Sequence, residues 1–372
     1  MEFKQYSPNT DRDKIRFIWS ELFQPDYHSY FLSWGWIETW LDTLPKSTPL
    51  TLLVAYRNEQ ASIAFFIGGP RWRRRTVFPV RSITLNATGQ SELDRLCIEY
   101  NSILHREDVA TDLLEWLSAI RLQWHSFTLP GLDVKRFPGC ALTNEVTGYS
   151  ITLLREEPSY FVDLEKVRQA DGGYLTQLKS NNRYQLRKAR RYYEQFGPLR
   201  TEKAESISEA IAFYDELIQL NTKNWSERQQ DSAFDSAYFR DFHRELIKRR
   251  FPTGEIQILK VTCAEKTVGI LYNFVMNKHV YFYQCGLRYD QDSAAKPGLI
   301  THWEAVEYNV NRSNNRYDFL AGDAQYKRSL STDYNLLRWI EIADNRGFSK
   351  WINTLEKGAQ KIVKRIRKGR NQ

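Results

Sequence analysis

Apolar residues recur along this chain in two rhythms, alternating in some stretches and falling every three to four residues in others. The pattern is densest between Glu255 and Lys327. Ile256–Ala264, Thr267–Met276 and Val280–Gly286 are apolar-rich runs split by the short turns Ala264–Lys266 and Asn277–His279, which predicts an antiparallel meander. A polar loop, Leu287–Lys296, follows. From Pro297 the spacing becomes helical, through Leu299, Ile300, Trp303, Val306 and Val310. A proline in the first turn of a helix costs no hydrogen bond, because that amide has no partner there. Next comes a short buried-type strand, Tyr317–Leu320, and a turn carrying Gly322, Asp323, Tyr326 and Lys327. A last strand is expected at Leu336–Ala343.

The earlier chain reads in the same way. Helices are expected at Arg12–Phe23, capped by Asp11, and at Trp34–Leu44, ended by Pro45. Thr51–Tyr56 and Ser62–Ile67 form a hairpin, and Pro70–Arg75 reads as a basic loop. An amphipathic helix is expected at Asp108–Trp124, a short strand at Ser126–Leu129 and a crossing loop at Pro130–Gly148. Tyr149–Leu154 and Tyr160–Leu164 read as strands flanking a boundary near Glu157-Pro158. Tyr174–Phe196 reads as one long helix stopped by Gly197-Pro198, and Ser208–Thr222 as another, capped by Ser206 or Ser208. The hairpin at Leu50–Gln60 and the helix before it recur at Ile256–Lys266 and Tyr238–Pro252, at offsets of roughly 206–208, which argues for a duplicated unit.

A chain of 372 residues exceeds the ~250–300 at which single cores stop growing. Two domains, 1–157 and 158–348, are therefore expected, with a tail at 349–372. The net charge of +8 sits in two places. Lys179–Lys203 and the tail Glu356–Gln372 each carry an excess of about six cations, so the remainder is slightly acidic. In the tail, Trp351, Ile352, Leu355, Ala359, Ile362, Val363 and Ile366 share one helical face among lysines and arginines. Such a basic amphipathic helix suits an anionic membrane surface or a polyanion. The four cysteines, Cys97, Cys140, Cys263 and Cys285, have no paired spacing. The N-terminus has no signal-peptide core, and no run approaches a transmembrane length. A cytoplasmic protein is expected, peripheral at the inner membrane surface if the tail docks there.

P-loop, Rossmann, nucleophile-elbow and zincin motifs are all missing. The six histidines lack ligand spacing, so no metal is expected. The loop Asp292–Gly298 can offer the amides of Ser293 and Ala294, the positive end of the Pro297-Gly298 helix and the charge of Lys296 to a phosphate. Asp323, Tyr326 and Lys327 bring an acceptor, a hydroxyl and a cation onto one turn. Asp323 can accept or orient an amine proton, Tyr326 can protonate a leaving group or bind the acceptor, and Lys327 can hold an oxyanion or an acidic group. Arg183, Arg187, Lys188, Arg190 and Arg191 line a helix able to rim such a site.

Lys296-Pro297-Gly298, Asp318–Asp323 and Tyr326-Lys327, taken in this order after the meander, resemble the second half of a GNAT-superfamily acyltransferase. More narrowly, they resemble the branch of BioF2-like and CelD-like acetyltransferase domains and FemAB-type aminoacyltransferases. The basic run Leu186–Tyr193 and the Trp225 segment also match that branch's order. The resemblance implies an α/β fold of tandem GNAT-like mixed sheets with flanking helices, the second half catalytic. It implies an acyl-CoA-dependent N-acyltransferase, with acetyl-CoA or a longer acyl-CoA as co-substrate and an amine of a small molecule, sugar or peptide as acceptor. Gln284, Gly286, Ser293, Ala294, Lys296, Pro297 and Gly298 then meet the donor. Tyr283, Trp225, Arg228, Arg183 and Arg187 meet the acceptor, and Asp323, Tyr326 and Lys327 do the chemistry. The family's usual glycine-rich phosphate loop is absent, as in the FemAB-type branch, whose donor is aminoacyl-tRNA; that donor is the alternative. A non-catalytic polyanion- or membrane-binding module on the same fold is a third reading.

Overall fold

The computed structural model describes residues 3–75, 78–107, 124–133, 135, 145–146 and 148–344. The helix expected at 108–124, most of the loop at 130–148 and the basic tail lie outside the described residues. In chain order the elements are β1 (Phe3–Tyr6), α1 (Arg12–Leu22), α2 (Trp34–Thr43), β2 (Leu50–Arg57), β3 (Gln60–Arg75), β4 (Phe78–Leu85), β5 (Leu104–His105), β6 (Ser126–Asp133), β7 (Glu145–Val146) and β8 (Tyr149–Asp163). Then come α3 (Leu164–Gln169), α4 (Gly173–Thr176), α5 (Ser180–Glu194), β9 (Leu199–Lys203), α6 (Ile207–Glu227), α7 (Ala237–Arg250), β10 (Ile256–Cys263), β11 (Lys266–Met276) and β12 (His279–Leu287). The last are α8 (Pro297–Asn311), β13 (Arg316–Ala321), α9 (Gln325–Leu330) and β14 (Asp333–Asp344).

Two compact units result, and neither is a continuous stretch of chain. The first takes the described residues up to Gln24, Leu44–Glu156 and those from Leu337; the second takes Pro25–Thr43 and Glu157–Leu336. In the first, β2, β3 and β4 form an antiparallel meander, and Ser82–Thr84 of β4 then pair in parallel with Ser126–Thr128 of β6. In the second, β10, β11 and β12 do the same, and His279–Tyr281 of β12 pair in parallel with Arg316–Asp318 of β13. An outer strand, β1 or β9, pairs antiparallel with each meander. Each unit thus shows one topology, a mixed α/β sheet flanked by helices.

Several expectations change at this level. Pro70–Arg75 is not a loop but the far end of β3, paired with Phe78–Ser82. Ladder bonds come from the backbone, which a run of arginines supplies as well as any other residues. The two strands expected around Glu157-Pro158 are one strand, β8. The single long helix expected at 174–196 is two, because Leu178-Lys179 turns out of helical geometry before α5. Asp163 caps α3 by accepting from Lys166 N at 3.0 Å. Ser206 caps α6 by accepting from Glu209 N at 3.1 Å.

In the second unit, α5 and α8 cover one face of the sheet. Leu186, Ala189, Ile300, Trp303 and Val306 pack there on Leu259, Leu271 and Phe282. On the opposite face α6 and α7 meet an aromatic core in which Tyr272, Phe274, Tyr283 and His243 join Phe31 and Trp36. This is why the segment bearing α2 groups with the second unit. Trp36 stands edge-on to Phe242 with centroids 4.8 Å apart, and Arg249 and Arg250 of α7 pair with Asp42 and Glu38 of α2.

Candidate functional site

The site begins where two strands part. β12 and β13 are paired only as far as Tyr281 and Asp318. Beyond that point Leu320 adopts φ +61°, a left-handed conformation that costs a non-glycine residue ~1–3 kcal/mol. It is clamped from both sides. Its N–H donates to Asp318 Oδ1 at 2.8 Å, and its carbonyl accepts from Lys327 Nζ at 3.0 Å. Lys327 Nζ also donates to Ala321 O at 2.6 Å, and Ser159 donates to Asp318 Oδ1 at 2.9 Å. The result turns β13 away from β12. On the other lip, Tyr283 is an extra residue of β12, a bulge opposite Tyr272-Asn273. The β12 carbonyls of Cys285 and Leu287 accept from the side chains of Asn221 and Asn224 on α6, at 2.8 and 2.7 Å.

The opening holds a cavity of about 390 Å³. From one face of the sheet α6 and the residue that ends it contribute Trp225 and Arg228; from the other α8 contributes Pro297, Gly298 and His302, with Cys285 and Tyr326 between. A second cavity, about 340 Å³, lies among α5, α8 and α9, lined by Asn181, Asn182, Gln185 and Gln325. Lys296, Leu299 and Tyr326 line both cavities. The opened sheet therefore has an apolar chamber and an amide-rich one that share a wall.

Burial sets the protonation states here. His302, 1 % exposed, is held down to about 3 by burial and then by the Lys327 charge, so its imidazole is neutral. Burial pushes the Tyr326 hydroxyl well above its usual range, so it keeps its proton. The Cys285 thiol is pushed up to about 12 by burial, against the opposing pull of Lys327 and Arg228. A thiol so protonated is a poor nucleophile, which leaves no covalent relay at this position. Among the described residues no group of three or more His, Cys, Asp or Glu is placed to hold a metal.

The family model described as "Acetyltransferase (GNAT) domain" matches residues 180–328, the segment from α5 through the strand opening into α9. No curated protein sequence matches the chain. Among solved structures, the C-terminal domain of a protein named as a lysylphosphatidylglycerol synthetase from Agrobacterium fabrum is similar at TM-score 0.53 and 11 % identity, covering 93 % of this chain and 96 % of that one. FemX is similar at 0.52 and 10 %, covering 92 % and 97 %. A conserved protein of unknown function from Bacteroides thetaiotaomicron is similar at 0.51 and 12 %, covering 92 % and 99 %. Residues 180–328 thus carry a GNAT domain, and the fold of the chain is similar to that of these structures.

In this GNAT domain the residues singled out from sequence separate into two sets. Trp225, Arg228, Lys296, Pro297, Gly298 and Tyr326 line the chamber. Lys327 sits behind its wall, committed to the two carbonyls of the β13 turn. Asp323 lines neither cavity; it is exposed and pairs with Arg328 and with Tyr160 Oη at 2.9 Å. Those partners hold its carboxyl below the usual range, which disfavours it as a base. Gly286 is needed for packing: a Cβ there would lie 2.5 Å from Leu217 O, where α6 presses on β12. Tyr283 belongs to the aromatic core on the far face, its hydroxyl 3.3 Å from His243 Nε2. Gln284, Ser293 and Ala294 line neither cavity. Ala294 N donates to Asp292 at 2.7 Å instead of waiting for an anion. Arg183 donates to Leu178 O at 2.7 Å and Arg187 is exposed on α5. His302 is not among the residues singled out from sequence, where the histidines are weighed only as metal ligands. Its signal was the i, i+4 spacing with Gly298 and Val306 on the face that α8 turns inward.

Proposed function

We propose that the chain is an N-acyltransferase which takes the acyl group of an activated carrier into the β12–β13 opening and passes it to an amine. One observation carries this reading. The cavity in the opened sheet gathers a neutral imidazole and a protonated phenol, with a buried cation behind its wall. Direct transfer needs only this. The amine attacks the carbonyl carbon, donors hold the oxyanion, and the departing sulfur or oxygen takes a proton. The proton is the amine's own, and Tyr326, which lines both chambers and stacks on His302 at 5.4 Å, keeps its hydroxyl proton and can donate a hydrogen bond to the departing atom. The carrier enters from one chamber and the amine of a small molecule, sugar or peptide from the other.

Acyl-CoA is the first carrier in this reading, with its pyrophosphate near Lys296 and the start of α8. The loop ahead of α8 favours a second reading. Asp292 already occupies the amide of Ala294, and Asp290 binds Tyr192 Oη at 3.2 Å, so two carboxylates stand where a pyrophosphate would lie. A carrier that does not place a pyrophosphate there, such as aminoacyl-tRNA, meets no such repulsion. Acetyl-CoA at a hundred times its Kd would stabilise the native state by about 2.7 kcal/mol and raise Tm by roughly 5–10 °C. Lys296→Glu is expected to cut that rise at least by half. No rise with acetyl-CoA but one with charged tRNA selects the second reading. A protein that neither carrier stabilises is a binding module instead.

A further inference from the structure

His302 has one hydrogen-bond partner among the described residues, the hydroxyl of Tyr317, 3.1 Å from Nδ1. Which of the two donates follows from a count of acceptors. Tyr317 is fully buried, and the same imidazole nitrogen is its hydroxyl's one partner among the described residues. A buried O–H that donated nowhere would cost ~1–3 kcal/mol. The hydroxyl therefore donates to Nδ1, and a neutral imidazole accepting at Nδ1 must carry its proton on Nε2. Three rings hold the imidazole in place. Tyr326 stacks at 15° to it, Phe282 meets it edge-on at 4.5 Å, and Phe319 lies 5.2 Å away. The ring lines the chamber, and with Nδ1 committed to the core the nitrogen it can present there is Nε2.

We propose that His302 offers a fixed Nε2–H in the chamber and that this N–H binds the carbonyl oxygen of the acyl group. The proposal rests on the reading of the chamber as an acyl site and adds the donor that fixes the carbonyl's orientation. The same donor meets the charge of the reaction. As the amine nitrogen bonds to the carbonyl carbon, the π pair moves onto oxygen and is held by Nε2–H. The pair returns as the bond to the carrier's sulfur or oxygen breaks, and the amine's proton ends on that atom. A neutral imidazole suits this role, because it donates without first gaining a proton and does not titrate in the working range.

Two measurements on the full chain test it. Nitrogen NMR of ¹⁵N-histidine protein should show His302 with a bare Nδ1 and a protonated Nε2 from pH 5 to 8, and Tyr317→Phe should release that preference. Binding is then read with two probes carrying a ¹³C carbonyl, acetyl-CoA and amide-linked alanyl-adenosine. In the wild type the carbonyl resonance of a bound probe should move in the direction of hydrogen bonding. His302→Leu should abolish the displacement and weaken binding about ten-fold, the worth of one hydrogen bond, and His302→Asn, which keeps an N–H, should restore most of both. A protonated Nδ1 overturns the proposal, as does a probe that binds with its carbonyl resonance unaffected by His302→Leu. If neither probe binds, the acyl-site reading falls and this proposal with it.

Discussion

Replacing Lys327 with Met is expected to lower stability by about 2–3 kcal/mol and to slow acyl transfer at least 10²-fold. The side chain is 9 % exposed, so this is not a surface change. Met keeps the bulk and loses both bonds from Nζ, leaving the carbonyls of Leu320 and Ala321 without their charged donor. Such bonds are worth ~1.5–3 kcal/mol each, and relief of the strained Leu320 conformation returns part of that. Once Leu320 relaxes, β13 no longer has to turn from β12, and the chamber wall moves. The loss of turnover therefore arises from a displaced wall and a missing positive field, not from a lost contact with substrate. Equilibrium unfolding and turnover measured on the same preparation separate the two effects. Unchanged stability would show that the lysine does not hold the turn.

The second large effect is acid-linked. His302 and His243 are both buried on the second unit's sheet, one on each face, and burial holds both below their ordinary value. In the unfolded chain each binds a proton near pH 6.5. From these two groups alone the unfolded state then holds two more protons than the folded one as pH falls below that value. Stability is thus fully present above pH 6.5 and is lost as pH falls towards the folded values, about 3 for His302. Two protons correspond to a slope of about 2.7 kcal/mol per pH unit at 25 °C, steepest between roughly pH 5.5 and 4.5. Denaturant melts across this window check the slope, and His302→Asn should halve it. A flat profile down to pH 4.5 would mean that these imidazoles are hydrated or charged in the fold.

Much of the second unit was legible because local rules and tertiary packing agree there. The meander showed in apolar-rich runs punctuated by short turns, and within those turns Ala264-Glu265 and Asn277-Lys278 have positive φ, as tight hairpins require. Pro297 announced the start of α8. What escaped depends on partners distant in sequence. Nothing local marks Leu320 for a left-handed conformation; Asp318 and Lys327 impose it. α2 reads as an ordinary helix of the N-terminal region, yet its Trp36 is completed by Phe242 and Phe274. Asp323 looked reactive because its residue type and turn fit, but the Arg328 and Tyr160 that neutralise it are placed by folding. His302 escaped for the opposite reason: its surroundings look inert until the neighbouring strands part.

Hydrogen exchange of the full chain tests the central claim, that the β12–β13 opening receives the acyl donor. Exchange is followed with and without saturating acetyl-CoA, and separately with charged tRNA. One of the two ligands should slow exchange at Cys285–Leu287 and at Ala295–Ile300, the backbone that borders the chamber, by at least ten-fold. Protection by either ligand confined to other segments, with these two unchanged, would contradict the account.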